Sequence, residues 1–586
     1  MQPAPRRWRV SDAAPLPGMH PVVARLLAGR GYDAAGAAAF LATDGGYHDP
    51  FGLPAMDAAV ATVRAAMRDG IAIAIYGDYD ADGVTACAML TRCLRAAGAT
   101  VVPYIPNRMT EGYGLHAAAL TDLAAQGVGC VITVDCGTSS VDVALHRPKG
   151  MRLVVTDHHL ALAPGGSPPQ LAPADALVNP KLPGSTYPFD GLAGAGVAFK
   201  LVHALEVSGA VPPGSADASL GLAALGTIAD MMPLRGENRV IVRDGLPRMV
   251  ELPGLRALCE AAGTAIPPRG TDIAFAVGPR INAAGRMEDA RLALQLCLSD
   301  DPEESARLAA DLDTQNRLRQ QAVAVALTQA EARVAEIDED APAIVLGDPD
   351  WPMGIVGLVA GRIAERYARP TFIACLDPAE AKGSARTAGG VHIVRALDGA
   401  APALLRYGGH AAAAGFSLEA SRFDEFRDLV TAAVGEQNAG IERRRDFAVD
   451  CEISGIDVTP ELCDALEQLQ PCGQGNPEPL LSVRGARVLG ASTFGSERQH
   501  IRVALATGEG IVEAIAFNKP ELADRLSDYL PRGRVVDACF GLDQDTFQGL
   551  VRVRARLRDL RPAQEVALNG RPIAGGVAML PGLAAD

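Results

Sequence analysis

Aromatic residues are scarce: 2 tryptophans, 10 tyrosines and 14 phenylalanines in 586 positions, so few rings are available to stack on a ligand. The 11 cysteines stand singly, an odd number without one C-x-x-C. This suits buried reduced thiols and argues against a disulfide framework or a structural zinc site. No stretch approaches 18 uncharged apolar residues, and the opening "MQPAPRRWRVSD" lacks the apolar centre of a signal peptide, so a cytoplasmic protein without membrane contact is expected. No G-x-x-x-x-G-K-S/T occurs, which leaves ATP-driven unwinding unencoded. Basic charge is in deficit, with 54 Lys and Arg against 69 Asp and Glu. The net charge of −15 tells only weakly against a polyanionic partner, because a local basic groove can coexist with an acidic exterior.

What is present reads as an α/β protein. The chain is too long for one ordinary core, and its length implies three or four domains. From Ile71 onward short apolar runs alternate with helix-like segments, the pattern of a parallel sheet with crossover helices. The runs "IAIAIYGD", "CVITVD" and "RLVVTD" all end in aspartate: Asp78, Asp135 and Asp157. Ligands bind beyond the carboxyl ends of such strands, so these acids are expected to converge on a cation. Residues 301–340 form a polar stretch without glycine, opened by the capping sequence "DPEES". There Leu308, Leu312, Val323, Leu327 and Val334 share one helical stripe, which predicts a long helix joining two domains. A second alternating region starts at "AIVLGDPDW" and runs to about Asn438. From about Phe447 short strands predict a small β-barrel, and "GRPIAGGVAMLPGLAAD" reads as a mobile tail.

Four short motifs carry the chemistry. "YGDYDADGVTA" spaces Asp78, Asp80 and Asp82 alternately just past a strand, and carboxylates this close are costly to ionise together unless a cation neutralises them. The competing reading is an aspartate-rich turn in which Gly83 supplies an unusual backbone angle. An EF-hand does not fit, because the closing glutamate is missing. "VDCGT" offers Asp135 at a strand end with Gly137 permitting a tight turn; alone, it reads as a simple turn aspartate. "VTDHHL" sets His158 beside His159, and neighbours on a strand face opposite ways, so one site uses both only where the chain turns. One would then bind metal and the other contact a phosphate. "LGTIADMMPL" presents Asp230 after a helix-like run, or merely marks a helix end. Oxygen-rich ligands with a single histidine suit Mn²⁺ or Mg²⁺ better than zinc. Two such ions about 3.5 to 4 Å apart generate hydroxide and stabilise the leaving oxygen in phosphoester hydrolysis.

The ordered set Asp-x-Asp, Asp, Asp-His-His, Asp resembles the DHH phosphoesterase superfamily. With "GPRINAAGRM", "YGGHAAAAGF" and "CGQGNPEP" the chain is similar, from about Asp57 to Leu560, to the RecJ family of bacterial single-strand-specific 5′→3′ exodeoxyribonucleases. The resemblance implies an N-terminal extension at 1–56, a parallel-sheet DHH catalytic domain at 57–298 and a connecting helix at 299–340. An α/β DHH-associated domain at 341–440, an oligonucleotide-binding-type β-barrel at 441–562 and a tail at 563–586 would follow. It further implies that Asp80 and Asp82 bind one metal each, that Asp135 bridges them, and that His158 and Asp230 complete the second site. His159 would contact the scissile phosphate, making His159, Asp135 and Asp82 the catalytic group. Tyr76 stands where many superfamily members have a histidine, four residues before Asp80, and Asp78 is the residue that would compensate.

"GSARTAGGVHI" and "YGGHAAAAGF" resemble substrate-binding motifs, placing Ser384, Arg386, Gly408, Gly409 and His410 near the nucleic-acid backbone; a glycine turn with a packed histidine is the alternative. Arg280, Asn282 and Arg286 would line the cleft between core and second domain, or serve as domain glue. In "LVRVRARLR", Arg552, Arg554, Arg556 and Arg558 share one strand face, which either tracks a phosphate backbone or is simply solvated. Phe494, Phe517 and Phe547 are candidates for base stacking or for the core. "GLAGAGVAFK" is only loosely like a dinucleotide fingerprint and no such cofactor site is expected.

The implied activity is a two-metal exonuclease, using Mn²⁺ or Mg²⁺, that degrades single-stranded DNA from its 5′ end to mononucleotides. It would work as a monomer in recombination and repair, beside a helicase and single-strand-binding protein. The competing readings are a phosphodiesterase for short oligonucleotides or cyclic dinucleotides, a polyphosphate or pyrophosphate hydrolase, and a non-catalytic replication scaffold.

Overall fold

The computed structural model describes residues 1, 6–42, 46–108, 110–163, 167–287, 289–437, 445–495, 498–508, 510–519, 522, 535–547 and 550–563. The tail from 564 and the Phe547 side chain lie outside the described residues. The chain divides into two compact units. The first comprises Met1–Arg7, Ala38–Phe447 and Leu469–Glu478; the second comprises Trp8–Ala37, Ala448–Gln468 and everything from Pro479.

In the first unit, β1 (Ala72–Tyr76), β2 (Val101–Tyr104), β3 (Val128–Val134), β4 (Arg152–Thr156) and β5 (Ala176–Val178) form a parallel sheet in the order β2-β1-β3-β4-β5. These strands are almost continuously apolar because helices cover both faces. α1 (Ala81–Ala96) packs in one core cluster, and α2 (Ala117–Ala125) belongs to a second cluster, through Leu120 and Leu123, that also holds Val131 and Leu153. α3 (Gly194–Val207) and α4 (Ser215–Ala229) share the cluster of α1 through Val197, Leu201, Leu222 and Leu225. α5 (Gly278–Met287) leads towards α6 (Pro302–Glu336), the expected long helix, whose first turn is capped by Asp301 Oδ1 accepting from Glu304 N at 2.8 Å. Leu308 and Leu312 of α6 join the core of the parallel sheet. Val323, Ala326, Ala330 and Val334 join a second cluster with Ile344, Trp351 and Ile363, so one helix serves two cores.

That second core takes residues from β6 (Ile344–Asp348), α7 (Val356–Tyr367) and β7 (Thr371–Cys375), and the sheet continues through β8 (Ala381–Arg386), β9 (Arg406–Gly409) and β10 (Ala413–Leu418), with Ala385 and Phe416 in a separate cluster. Their sheet runs β9-β10-β8-β7-β6, parallel only between β6 and β7. In the second unit, β11 (Cys451–Glu452), β12 (Leu481–Phe494), β13 (His500–Thr507), β14 (Gly510–Ala516), β15 (Val535–Phe547) and β16 (Leu550–Pro562) run β11-β12-β13-β14-β16-β15. Pairing of β12 with β15 closes a five-stranded barrel. Residues 8–37 belong to this unit: Trp8 Nε1 donates to Asp559 Oδ2 at 2.9 Å, and Arg30 pairs with Asp450 at 2.9 Å. All 11 cysteines are free, and among the described residues no helix is long and apolar enough to cross a membrane.

Candidate active site

Because β1, β3 and β4 are neighbours, the loops leaving their carboxyl ends converge, and these loops carry Asp78 to Asp82, Asp135, and Asp157 to His159. Asp80 caps α1, its Oδ1 accepting from Asp82 N at 2.9 Å and Gly83 N at 3.1 Å. Gly83 is helical and supplies no unusual angle. A Cβ there would lie 2.4 Å from Asp78 N, so glycine is needed for close approach. Asp135 is held in the left-handed region at φ 61°, a strained setting for a residue with a side chain.

The segment "GLAGAGVAFK" opens α3. Gly194 N and Ala195 N donate to Asp82 Oδ2 and Oδ1 at 2.7 and 2.8 Å, and a Cβ on Gly194 would sit 2.5 Å from Asp135 Cβ. Its glycine therefore lets a helix N-terminus reach two aspartates, a role that the sequence reading did not assign.

Three sets of side chains offer ligand atoms mutually within 4.8 Å: Asp78, Asp80 and Asp135; Asp82, His158 and Asp230; and Asp135, His158 and His159. His158 Nε2 lies 3.1 Å from Asp135 Oδ1 and 3.5 Å from Asp230 Oδ2. Burial and mutual repulsion push the Asp78, Asp82 and Asp135 carboxyls well above their ordinary range, and burial with the Asp80 charge carries Asp230 to about 7. Burial, then the charge of His159, lowers His158 to about 3. Asp157 is different. Burial opposes its charge, but hydrogen bonds from His159 and Thr138 hold it at about 2, and against burial it raises His159 in turn. Asp157 Oδ1 accepts from the backbone N of His158 and His159 and meets His159 Nδ1 at 2.8 Å, so it orients both histidines.

The donor set fits hard divalent cations. Asp78 Oδ1, Asp135 Oδ1 and both ring nitrogens of His158 are buried without a hydrogen-bond partner. Such lone pairs are costly unless something coordinates them.

Two residues that the sequence reading missed complete the mouth. The Tyr113 hydroxyl donates to Asp135 O at 3.3 Å and lies 3.2 Å from His159 Nδ1; Arg108 stands 5.0 Å from the Tyr79 ring. The available signal was their place beyond the carboxyl end of β2, on the ligand edge of the sheet. Arg286 is held down to about 10 by burial and by the charges of Arg108 and Arg319; Arg386 is lowered by burial and by Arg108. Of these guanidiniums, Arg286 feels the charge of Asp80 and Arg108 that of Asp78. Arg280 is engaged by Asp313 at 2.8 Å, and Asn282 Oδ1 accepts from Ala81 N at 2.8 Å, supporting the aspartate loop.

On the second sheet, register aligns Gly408, Gly415 and Ser384 across β9, β10 and β8, and sets Arg386 opposite Ala413. Arg386 donates to Ser384 Oγ at 2.6 Å, and His410 is exposed at the same hairpin. In the barrel, Arg552 is exposed and Arg554 half-buried; Asp543 is the register partner of Arg554 on β15 and pairs with Arg556, so the arginine stripe meets an acid there. Phe494, His500 and Phe517 form one ring cluster with centroids 5.1 to 6.2 Å apart, and Phe517 is exposed.

Comparisons with known proteins match three segments of the chain. Family models match at 72–227 (DHH family, N-terminal domain), 340–436 (DHHA1 domain) and 449–559 (RecJ OB domain). The single-stranded-DNA-specific exonuclease RecJ of Dickeya dadantii is 36% identical over 531 residues, covering 86% of this chain and 90% of that protein. The Bacillus subtilis protein of the same name is 36% identical over 516 residues, and the chain spans 64% of its length. The crystal structure of RecJ in complex with Mn²⁺ from Thermus thermophilus superposes with a TM-score of 0.78 at 32% identity, covering 98% of this chain and 81% of that one.

Proposed function

The chain belongs to the RecJ family of single-stranded-DNA-specific exonucleases, and on that premise we propose that it hydrolyses single-stranded DNA from the 5′ end to mononucleotides. The observation that carries this reading is a buried acid cradle with unpartnered lone pairs, suited to cations, with Arg108 and Arg286 nearby to meet phosphates. Asp78, Asp80 and Asp135 would hold one cation and Asp82, His158 and Asp230 the other, with Asp135 within reach of both sets. Mn²⁺ or Mg²⁺ supplies Lewis-acid activation of water and neutralises phosphate charge when bound.

The protein's own groups do the rest. The α3 amides fix Asp82, and Asp157 fixes both histidines. Asp157, bound at Nδ1, favours the doubly protonated imidazolium of His159, whose Nε2–H would then donate to a phosphoryl oxygen. Arg108, Arg286, Arg386 and Ser384 bind the phosphate chain, with Gly408, Gly409 and His410 along the hairpin. On the barrel, Arg552 and Arg554 and the Phe494–Phe517 cluster would offer contacts of their own to a single strand, cationic and aromatic. The setting we propose is cytoplasmic recombination and repair, the chain working as a monomer beside a helicase and single-strand-binding protein; the free cysteines suit a reducing compartment.

A long single strand labelled at either end, incubated with Mn²⁺, with Mg²⁺ and with chelator, tests the reading. Release of the 5′ label first, abolished by chelator, is expected. Activity confined to dinucleotides would select the short-substrate phosphodiesterase instead.

A further inference from the structure

Tyr76, where the sequence departs from the superfamily pattern, is fully buried at the end of β1, and its hydroxyl is engaged by a backbone carbonyl. Its ring stacks on Tyr104, its register neighbour at the end of β2, with centroids 5.0 Å apart and planes at 24°. Both hydroxyls point into the loop that follows β2. Tyr76 Oη donates to Gly114 O at 3.1 Å, and Tyr104 Oη donates to Glu111 Oε1 at 2.7 Å. Glu111 Oε2 in turn accepts from Asn107 N at 2.7 Å, while Glu111 N donates to Asn107 O at 2.8 Å, closing the loop on itself. Gly112 and Gly114, at φ +88° and +96°, allow the turn that brings Tyr113 round to Asp135 O and His159 Nδ1. The same loop carries Arg108 over Tyr79. Burial raises both phenols, so they stay donors at neutral pH.

We propose that Tyr76, Tyr104 and Glu111 are positioning residues that fasten the loop after β2 at Glu111 and Gly114 and thereby hold Arg108 and Tyr113 against the substrate phosphate. The strand end that bears Tyr76 thus anchors a substrate loop instead of lending a metal ligand. This rests on the exonuclease reading above.

Tyr76→Phe keeps the stacked ring and removes one anchor, Glu111→Ala removes the other, and Glu111→Gln keeps an acceptor for Asn107 N. Loss of one such hydrogen bond is expected to raise KM for a 5′-phosphorylated single strand about five- to tenfold in Tyr76→Phe and Glu111→Ala, with kcat within about twofold and Glu111→Gln close to the parent. Mn²⁺ stoichiometry and affinity, read by equilibrium titration without substrate, are expected to equal the parent's. Weaker Mn²⁺ binding by Tyr76→Phe would overturn the proposal by making Tyr76 part of the cation site. An unchanged KM in both variants, or a loss confined to kcat, would overturn it as well. A parent protein inert on single strands sinks the exonuclease reading itself, whereas an active parent with unaltered variants sinks this inference alone.

Discussion

Asp135 concentrates what the site demands of single residues. It is buried, left-handed, unpartnered at Oδ1 and within 3.1 Å of His158 Nε2, so removing its charge strips a shared ligand from both sets. Asp135→Asn is expected to lower kcat by about a thousandfold or more, with Mn²⁺ binding weakened in titration; a variant as active as the parent refutes a shared ligand. His158 and His159 separate by the same measurements. His158→Ala should lose Mn²⁺ affinity, whereas His159→Ala should keep it while kcat falls about a hundredfold, the cost of one donor to the developing charge. The acids also set a pH dependence in chelator. Folded Asp230 keeps its proton to about 7, while unfolded it releases near 3.8. Between those values the folded state binds more protons, so stability falls as pH rises. Thermal midpoints of the metal-free protein should therefore drop from about pH 5 to about pH 8, and saturating Mn²⁺ should reverse the trend. A flat profile in chelator would show that the carboxylates are not crowded as drawn.

At the scale of elements, the parts legible in the sequence were those written locally. Three apolar runs ending in Asp78, Asp135 and Asp157 announced adjacent parallel strands, and the stripe from Leu308 to Val334 announced the long helix. The motifs sufficed for the family because each is a contiguous run, whether it becomes a strand-end loop as at Asp78 to Asp82, the helix α5 as in "GPRINAAGRM", or the loop "CGQGNPEP". Contacts formed across the chain were not legible. Gly83 reads as a turn glycine until Asp78 is seen against it, and Gly194 reads as part of a weak fingerprint, because the aspartate it serves lies 112 residues upstream. Tyr113 carries no pattern of its own and gains a role only when β2 places its loop beside β3. Gly194→Ala tests the point. Alanine favours the helix, but its Cβ would collide with Asp135, so activity should fall about a hundredfold while circular dichroism and the unfolding midpoint stay near the parent's. Retained activity would show that the close approach of α3 is dispensable.

For the whole molecule the division into units is not a division of the chain. Residues 469–478 belong to the catalytic unit although the segments on both sides belong to the barrel unit. This is the loop "CGQGNPEP" with the residues before it, and its contacts explain its place. Leu234 N donates to Gln474 O at 2.8 Å, Arg235 Nε to Gly475 O at 2.8 Å, and the buried Arg239 to Leu469 O at 3.0 Å and Pro471 O at 3.4 Å. Asn476, also buried, ties the loop together by donating to Leu469 O and Pro471 O. The segment gripped in this way, Pro233 to Arg239, follows directly on Asp230. A chain cut to residues 38–447 keeps every candidate cation ligand, and the bond from Arg239 Nε to Phe40 O, but removes the two carbonyls that Arg239 Nη1 donates to. An unsatisfied buried donor of that kind costs about 1 to 3 kcal/mol, which lowers the unfolding midpoint by roughly 5 °C. The cut chain is therefore expected to unfold earlier than the parent in scanning fluorimetry and to bind Mn²⁺ more weakly through a loosened Asp230. In the full chain, Asn476→Ala should reproduce the loss in part, because it frees the loop without removing the barrel. Equal midpoints and equal Mn²⁺ affinity for the parent, Asn476→Ala and the cut chain would mean that the loop merely rests on the catalytic unit.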